Sequence, residues 1–296
     1  MDKKELMKTE EIRIKKKSRS QEIWRRFKKN KLALFGMVLF IIILLVTILA
    51  DVIVSYDMAV TQVAADRLQW PSAAHWFGTD NYGRDLFARI VHGARNSLLV
   101  GFGSVIIGVT LGGLLGAVCG YLGGRFDAIV MRVLDSIMCI PTAMMALAIV
   151  AALGTSLRNV LIAMTISNVP RYCRIIRSSV LSVTGQTYIE AAHSCGTPDF
   201  QIILKHVLPN AIGPIIVEST MAVGSAIISA AGISFVGMGI QPPAPEWGAM
   251  LNEAKMYMTM YPYMVLFPGL AIGFTALSMN LMGDGLRDAL DPKLKD

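Results

Sequence analysis

A single carboxylate, that of Glu218, interrupts a run of otherwise uncharged, mostly apolar residues from Ala211 to about Gly232. The run is long enough to cross a bilayer, and a charge at its centre would cost about 2.5–3.5 kcal/mol on membrane-insertion scales. Such a carboxylate must face protein or water. Glu218 follows Pro209 by only about two helical turns and can reach the membrane interface. It is therefore predicted either to line a transport pathway or gate, or to make a structural hydrogen bond.

The segment 188–209 has the residue pattern of two short helices joined by a turn. Glu190–Ala192 are strong helix formers, and Gly196 suits the left-handed residue that follows a helix end. Thr197–Asp199 provide a capping residue, a proline for the first helical position and an acidic side chain that complements the helix dipole. Pro209 is predicted to end the second helix.

The second of these helices carries an apolar stripe, because Phe200, Ile203, Leu204 and Val207 follow the i, i+3, i+4, i+7 spacing. A helix of this length is unstable alone in water, so the stripe must be buried. Its partner is the membrane-spanning part of the same chain, the lipid surface, or a groove on another protein. The residues alone do not choose among these three.

Five glycines recur at every fourth position and so share one side of a helix: Gly108, Gly112, Gly116, Gly120 and Gly124. A ridge without side chains lets another backbone approach closely, as in GxxxG packing. We expect this ridge to be a helix-packing surface, and the spacing does not specify the partner helix.

The elements that position these residues are predicted to be membrane helices. Of the 296 residues, 54% are hydrophobic and only 17% are charged, and the mean hydropathy is +0.53. This balance lies outside the range of soluble domains and excludes a disordered chain, a collagen-like repeat and a disulfide scaffold. The net charge of +7 does not indicate nucleic-acid binding, because too little polar surface is available to cover a soluble globule.

Six membrane-spanning helices are predicted from runs of about 20 mostly uncharged residues. They are residues 32–50, 97–124, 136–157, 159 to about 176, 211 to about 232, and 262–283. The chain is accordingly divided into a basic cytoplasmic segment 1–31, the first span 32–50, an external loop 51–96, a transmembrane core 97–286 containing the cytoplasmic segment 188–209, and a cytoplasmic tail 287–296.

Positive charge sets the predicted orientation. The segments assigned to the cytoplasm hold 22 of the 28 Lys and Arg residues, so the positive-inside rule places both termini there. The assignment depends on the weak fourth span, which is extended to about Ile176 because Arg171, Arg174 and Arg177 mark its cytoplasmic exit.

Three smaller features complete the expected topology. The four cysteines lie in predicted spans or on the cytoplasmic side: Cys119, Cys139, Cys173 and Cys195. They are expected to be buried structural thiols rather than disulfide partners or metal ligands. Arg132 and Asp135 are expected to pair within one helix. The basic segment 1–31 is expected to be solvated near anionic lipid and to lead into an uncleaved anchor.

Motifs for catalysis are absent from the chain. It contains no Gly-x-x-x-x-Gly-Lys-Ser/Thr loop for nucleotide phosphates, no His-Glu-x-x-His zinc motif and no Gly-x-Ser-x-Gly nucleophile turn. No catalytic residue, metal site or resident cofactor is therefore predicted, and a membrane enzyme is a weak hypothesis.

The segment 188–209 resembles the EAA loop of binding-protein-dependent ABC importer permeases. The motif residues are Glu190, Ala191, Ala192, Gly196, Leu208 and Pro209, with His206 where many such permeases have an apolar residue. The run His206–Asn210 is similar to the dipeptide, oligopeptide and nickel branch of these permeases. Further stretches that resemble this branch are WRRFKKNKL (24–32), FGTDNYGRD (77–85) with GARNSL (93–98), ISFVGMGIQPP (233–243) with WG (247–248), and GDGLRDALDP (283–292). The resemblance covers nearly the whole chain.

This resemblance implies an all-α polytopic protein of about six transmembrane helices with the type I ABC importer permease fold, in the cytoplasmic (inner) membrane of a prokaryote. It implies a C-type subunit paired with a homologous permease, two ATP-binding subunits that hold ATP and Mg, and an external solute-binding protein. The EAA loop would be the coupling helix that meets the ATP-binding subunits. The implied coupling residues are Glu190, Ala191, Ala192, Gly196, Asp199, Phe200, Ile203, Leu204, His206, Val207, Leu208 and Pro209.

The external segments 51–96 and 233–261 are the expected landing surface for the binding protein, in a docking or gating role. The residues expected there are Gly78, Thr79, Asp80, Gly83, Arg84, Asp85, Gln241, Pro242, Pro243 and Trp247. Turn residues and charges of this kind are also typical of a merely connecting loop.

Peptides are the most frequent cargo of this branch, while nickel, glutathione-like thiols and other small solutes are alternatives, since the separate binding protein sets selectivity. The main competing class is an ion-coupled secondary transporter, which often carries several charges at mid-membrane. Glu218 is the only acid well inside a predicted span, which weakens that alternative.

Overall fold

The computed structural model describes residues 19–290, and the regular structure in this range is helical. The helices are α1 (Arg19–Lys29), α2 (Lys31–Ile48), α3 (Ala50–Ile53), α4 (Tyr56–Val60), α5 (Leu86–Leu122), α6 (Gly124–Met138), α7 (Thr142–Leu153), α8 (Leu157–Thr184), α9 (Thr187–Ser194), α10 (Asp199–Ile202), α11 (Leu208–Ile233), α12 (Trp247–Ala254) and α13 (Tyr263–Leu290). Two π-helical turns, Ile203–Val207 and Ser234–Met238, adjoin α11. The predicted segments 1–31 and 287–296 lie outside the described residues over 1–18 and 291–296.

Within residues 19–290, four helical stretches are long and apolar enough to cross a membrane: Lys31–Ile48, Leu86–Leu122, Asp199–Met238 and Tyr263–Leu290. A fifth results if α6 and α7 count as one span, although these two helices meet at 82°. Helix α8 covers the predicted fourth span, but its arginines and other polar residues make it less apolar. The count of six and the side of each terminus stay predictions.

The predicted third span, 136–157, is not one continuous helix. Helix α6 ends at Met138, and α7 begins only after Pro141, whose ψ of 131° is extended. Proline has no amide hydrogen to continue the helical ladder, so the chain turns here. Helix α7 has 12 residues and is too short to cross a bilayer alone.

Helix α5 starts at Leu86, well before the predicted span start at Ser97, and has 37 residues. Asp85 caps it by accepting a hydrogen bond of 2.8 Å from the Ala88 amide. The first turns contain polar side chains such as Arg89 and His92. A search for uncharged, apolar runs therefore places the start of the span too late. The predicted external loop 51–96 therefore includes α3, α4 and the beginning of α5.

Small residues allow the long helices to pack closely. Gly36 of α2 faces α13, where an added methyl group would lie 2.7 Å from Cβ of Leu281. The main core joins α5, α7, α8 and α11 through buried side chains such as Val150, Met164 and Ile227. The outward side of α2 is apolar and exposed, as expected for a surface covered by lipid or another subunit.

Two expectations about smaller features need correction. Residues 19–29 form a helix that packs on the fold through Phe27 and leaves basic side chains exposed, rather than a wholly solvated segment. Among the cysteines, Cys119 and Cys173 are buried, whereas Cys139 and Cys195 are exposed, so only two of the four match the expected buried thiols. Cys139 lies at the exposed break after α6, and Cys195 lies at the end of α9.

Candidate functional site

The EAA segment (residues 188–209) contains the two helices and the turn that its residue pattern predicts. Helix α9 ends in a Schellman motif, in which the Gly196 amide donates to the His193 carbonyl at 2.9 Å and the Thr197 amide to the Ala192 carbonyl at 3.1 Å. Gly196 has φ of +74°, the left-handed value that glycine adopts without strain. This turn reverses the chain between α9 and α10.

The second helix begins and ends differently from the prediction. Pro198 occupies the capping position without a side-chain hydrogen bond, so Thr197 does not cap α10. Pro209 does not end the helix, because α10 continues through the π turn Ile203–Val207 into α11. In this wider turn the Leu208 amide donates to the Ile203 carbonyl, five residues back. The wider turn accommodates the proline ring that an unbroken α-helix would crowd.

The predicted apolar stripe is divided between two faces. Val207 and Ile202 are fully buried with Ile189, while Phe200 is 71% exposed and Leu204 is 43% exposed. The π turn changes the angular spacing of residues after Ile202, which explains why the α-helical stripe prediction is wrong. One face of the segment is thus buried against the rest of the chain, and Phe200 and Leu204 on the other face are exposed.

The predicted coupling residues differ in exposure. The exposed ones are Glu190, Ala191, Gly196, Asp199, Phe200, Leu204 and Pro209. Those of intermediate exposure are Ala192, Ile203, His206 and Leu208, and Val207 is buried. We call Glu190, Asp199, Phe200 and Leu204 the EAA surface.

Tyr121, in the last turn of α5, anchors the EAA segment and was not singled out from the sequence. Its hydroxyl lies 2.8 Å from Oδ1 of Asp199 and 2.8 Å from Nε2 of His193. The Tyr121 and His193 rings stack at a centroid distance of 5.8 Å. An aromatic residue at the end of a glycine-rich helix gives no local signal of such a distant contact.

The glycine ridge of α5 lies against α8. A methyl group at Gly108 would lie 2.8 Å from the Tyr172 ring, one at Gly112 would lie 2.7 Å from the Val169 carbonyl oxygen, and one at Gly120 would lie 2.9 Å from the Arg177 carbonyl oxygen. A methyl group at Gly116 would collide with the Cys173 carbonyl. Gly124 is not part of this contact, since it follows the helix break and has no neighbour within 4 Å of an added methyl group. Its inclusion in the ridge is wrong.

Three arginines of α8 pair with acids on neighbouring helices. Arg171 donates to Glu218 of α11 at 2.6 Å, Arg174 pairs with Asp135 of α6, and Arg177 donates to both carboxylate oxygens of Asp127.

These pairs bear on two expectations from the sequence. Glu218 makes a hydrogen bond to a charged partner and is partly exposed, and its role in a transport pathway stays a prediction. Asp135 pairs across helices rather than with Arg132, so the expectation of a local pair is wrong.

Most residues expected to meet the binding protein are instead buried: Gly78, Thr79, Asp80, Gly83, Arg84, Asp85 and Trp247. Gln241, Pro242 and Pro243 are exposed. A prediction of direct contact through the buried set is wrong for this conformation of the chain.

The buried set forms a charge network. Arg84, with 0% of its surface exposed, donates to Asp80 at 2.7 Å and to Glu253 of α12 at 2.6 Å. Arg89 pairs with the same two carboxylates. Two guanidinium groups and two carboxylates balance in charge, which is the condition for burying them. The network joins the loop before α5 to α12.

A second pair holds the end of the first span. Arg95 of α5 donates to Oδ2 of Asp51 at 2.8 Å, and Nε2 of His92 lies 2.9 Å from the Val54 carbonyl oxygen. The hydrogen bond from Arg95 holds the pKa of Asp51 below its usual value, so this carboxylate stays ionised.

Comparisons with known proteins match this chain to the same class of permeases that its motifs resemble. A family model described as "Binding-protein-dependent transport system inner membrane component" matches residues 112–296, and one described as "N-terminal TM domain of oligopeptide transport permease C" matches residues 18–71. The chain is 46% identical to the dipeptide transport system permease protein DppC of Alkalihalophilus pseudofirmus, over 93% of this chain and 90% of the relative. It is 44% identical to the glutathione transport system permease protein GsiD of Pectobacterium atrosepticum, over 93% and 91%.

A solved structure of the MetNI methionine ABC transporter in inward-facing conformations has a TM-score of 0.57 at 18% identity, covering 69% of this chain and 96% of the matched chain. This likeness concerns the fold alone, and it confirms the predicted all-α permease fold. The family models and the two relatives together extend over nearly all of the sequence. The chain therefore belongs to the binding-protein-dependent transport system inner membrane components.

Proposed function

We propose that this chain is one permease subunit of an ATP-driven importer of short peptides. The names of its relatives support this cargo, since one is a dipeptide permease and another a permease for glutathione, itself a tripeptide. In this proposal it pairs with a homologous permease in the cytoplasmic membrane of a prokaryote. Two ATP-binding subunits supply ATP and Mg, and an external solute-binding protein delivers the peptide.

The observation that carries the proposal is that three residues of the EAA surface, Asp199, Phe200 and Leu204, lie on a helix continuous with a membrane span. Phe200 lies on the exposed side of α10, and α10 continues through the π turn Ile203–Val207 into α11. An exposed aromatic residue on a fixed helix is suited to fill a groove on an ATP-binding subunit. Because the helix is continuous, a movement of the EAA surface is passed directly to α11.

A second contact passes the same movement to α5. Tyr121 ties Asp199 and His193 to the end of α5, and the glycines of α5 hold that helix close to α8. The EAA segment is thus connected to three long helices at once. Alternating access needs such a connection, since closure of the ATP-binding subunits must shift the membrane helices together.

The surface for the binding protein is proposed to include Gln241, Pro242 and Pro243, which are exposed. The buried charge network of Arg84 and Glu253 would support this side of the protein without touching the partner. The network keeps α12 and the loop before α5 in one arrangement.

The ion-coupled alternative is not favoured. Glu218 is hydrogen-bonded to Arg171 at 2.6 Å, so its charge is paired within the chain. Ion-coupled transporters often carry several charges at mid-membrane, whereas Glu218 is the only acid well inside a predicted span of this chain.

The test is uptake of a radiolabelled dipeptide by proteoliposomes that contain the full assembly and its binding protein. We expect uptake that requires ATP and persists when ion gradients are collapsed. Competition by unlabelled glutathione and by nickel then ranks the alternative cargoes. Uptake that persists without ATP and disappears with the ion gradient would refute the proposal.

A further inference from the structure

Helix α1 is fixed to the end of α13 by one of its faces. Phe27 is only 3% exposed and packs with Ala33 and Ala289. Gly285 leaves room for its ring, since a methyl group there would lie 3.2 Å from Cε2 of Phe27. Asn30, directly after α1, donates a hydrogen bond of 3.0 Å to Asp288. The orientation of α1 on the protein is therefore fixed near its C-terminal end by the packing of Phe27 and by the hydrogen bond from Asn30.

The exposed side of α1 is cationic, and Trp24, whose ring stacks on Phe27 at a centroid distance of 5.8 Å, lies at its edge. Trp24 is 46% exposed, and Arg25, Lys28 and Lys29 are exposed beside it. The Lys28 ammonium group lies 5.0 Å from the centroid of the Trp24 ring. Within residues 19–290, neither Arg25 nor Lys29 makes an ion pair. We call Trp24, Arg25, Lys28 and Lys29 the α1 cationic face.

This face lies next to the point where the chain enters the membrane. Asn30 caps α2, because its side-chain oxygen accepts hydrogen bonds of 3.1 Å from the amides of Leu32 and Ala33. Helix α2 is the apolar span that begins at Lys31. A helix that is one residue away from a membrane span and held in place by Phe27 would have its exposed face at the level of the lipid headgroups.

We propose that the α1 cationic face binds acidic phospholipid headgroups in the leaflet at which α2 begins. Tryptophan is enriched at this depth because its ring is apolar and its N–H is polar. Lysine and arginine side chains extend toward headgroup phosphates while their aliphatic stems cover apolar surface. Charge complementarity and the adjoining span therefore favour a lipid over a soluble anion.

The experiment compares lipid binding by native mass spectrometry. The full-length chain, purified in detergent with any subunits that accompany it, is titrated with phosphatidylglycerol and with phosphatidylcholine of equal chain length. The variant R25Q/K29Q removes two cations of the face. The variant R158Q/K255Q is the matched control, because it removes one arginine and one lysine that are exposed elsewhere.

The wild type and the control should both prefer phosphatidylglycerol. Each cation near an anionic surface strengthens binding about fivefold, so R25Q/K29Q should bind phosphatidylglycerol about 25-fold more weakly, with phosphatidylcholine binding unchanged. Added salt should reduce the wild-type preference by screening. The proposal is overturned if the wild type shows no preference, if both variants lose it equally, or if R25Q/K29Q keeps it. It is also overturned if R25Q/K29Q instead loses a bound nucleic acid or acidic protein while lipid binding is unchanged.

Discussion

The hydroxyl of Tyr121 donates a hydrogen bond of 2.8 Å to Oδ1 of Asp199 and so joins the last turn of α5 to the first turn of α10. The carboxylate of Asp199 also lies 3.9 Å from Nδ1 of His193, so three side chains meet at this point. Besides its buried residues Ile189, Ile202 and Val207, the EAA segment is thus held by the continuous helix into α11 and by Tyr121.

The first prediction concerns this attachment. The variant Y121F keeps the ring that stacks on His193 and removes only the hydroxyl, whose hydrogen bonds contribute about 1 kcal/mol. We expect the ATP-binding subunits to stay bound, while peptide uptake per ATP hydrolysed falls by up to about fivefold, the factor that corresponds to this energy. The measurement is uptake and ATP hydrolysis in the same proteoliposomes.

The matched control is Y257F, since the Tyr257 hydroxyl makes no hydrogen bond among the described residues. Equal uptake per ATP in Y121F, Y257F and the wild type would show that the Tyr121 contact has no part in coupling.

The second prediction separates the two faces of the EAA segment. The variant F200A removes an exposed ring, so the thermal stability of the chain should be unchanged. Loss of this aromatic anchor should weaken binding of the ATP-binding subunits by about 2 kcal/mol, or roughly 30-fold. The variant I202A removes a buried side chain and should lower stability by about 2–5 kcal/mol. Co-purification and thermal unfolding measure the two effects.

The reverse result would contradict this division. If F200A destabilises the chain and retains its partners, Phe200 is part of the fold rather than of the EAA surface.

Local rules predicted the EAA segment well where a single residue decides the geometry. Gly196 adopts the left-handed conformation because the end of α9 requires it, and such a requirement is visible in the residue itself. Pro209 shows the limit of the same reasoning. Proline usually ends a helix, but the π turn Ile203–Val207 just before Pro209 lets the helix continue, and no local sequence pattern predicts that turn.

Contacts between residues far apart in the sequence are harder to predict than local geometry. Turn residues and charges in 78–85 have the composition of an exposed loop, but Arg84 is buried against Glu253, which is 169 positions away. Tyr121 and Asp199 are likewise 78 positions apart. A single sequence does not show which distant charges form pairs. Composition alone therefore predicts that these residues are exposed, although the fold buries them.

The third prediction tests the glycine ridge. In G112A the new methyl group would lie 2.7 Å from the Val169 carbonyl oxygen, a backbone atom that cannot move aside. Overpacking of this kind costs about 1–3 kcal/mol, so the thermal unfolding temperature should fall. In the control G273A no atom lies within 4 Å of the new methyl group, and alanine favours the helix by up to about 1 kcal/mol. Equal or higher stability of G112A relative to G273A would refute close packing of α5 on α8.

The fourth prediction concerns the buried charge network. Glu253 accepts hydrogen bonds of 2.6 Å from both Arg84 and Arg89, so E253Q leaves two buried guanidinium groups with one carboxylate between them. Removing one partner of a buried ion pair costs about 3–5 kcal/mol, and thermal unfolding of the purified chain should show this loss. The control is E22Q, which breaks the partly exposed i, i+4 pair between Glu22 and Arg26 and should cost at most about 0.5 kcal/mol. If E253Q and E22Q unfold at the same temperature, water already compensates the two arginines, and the network does not hold α12 to the loop before α5.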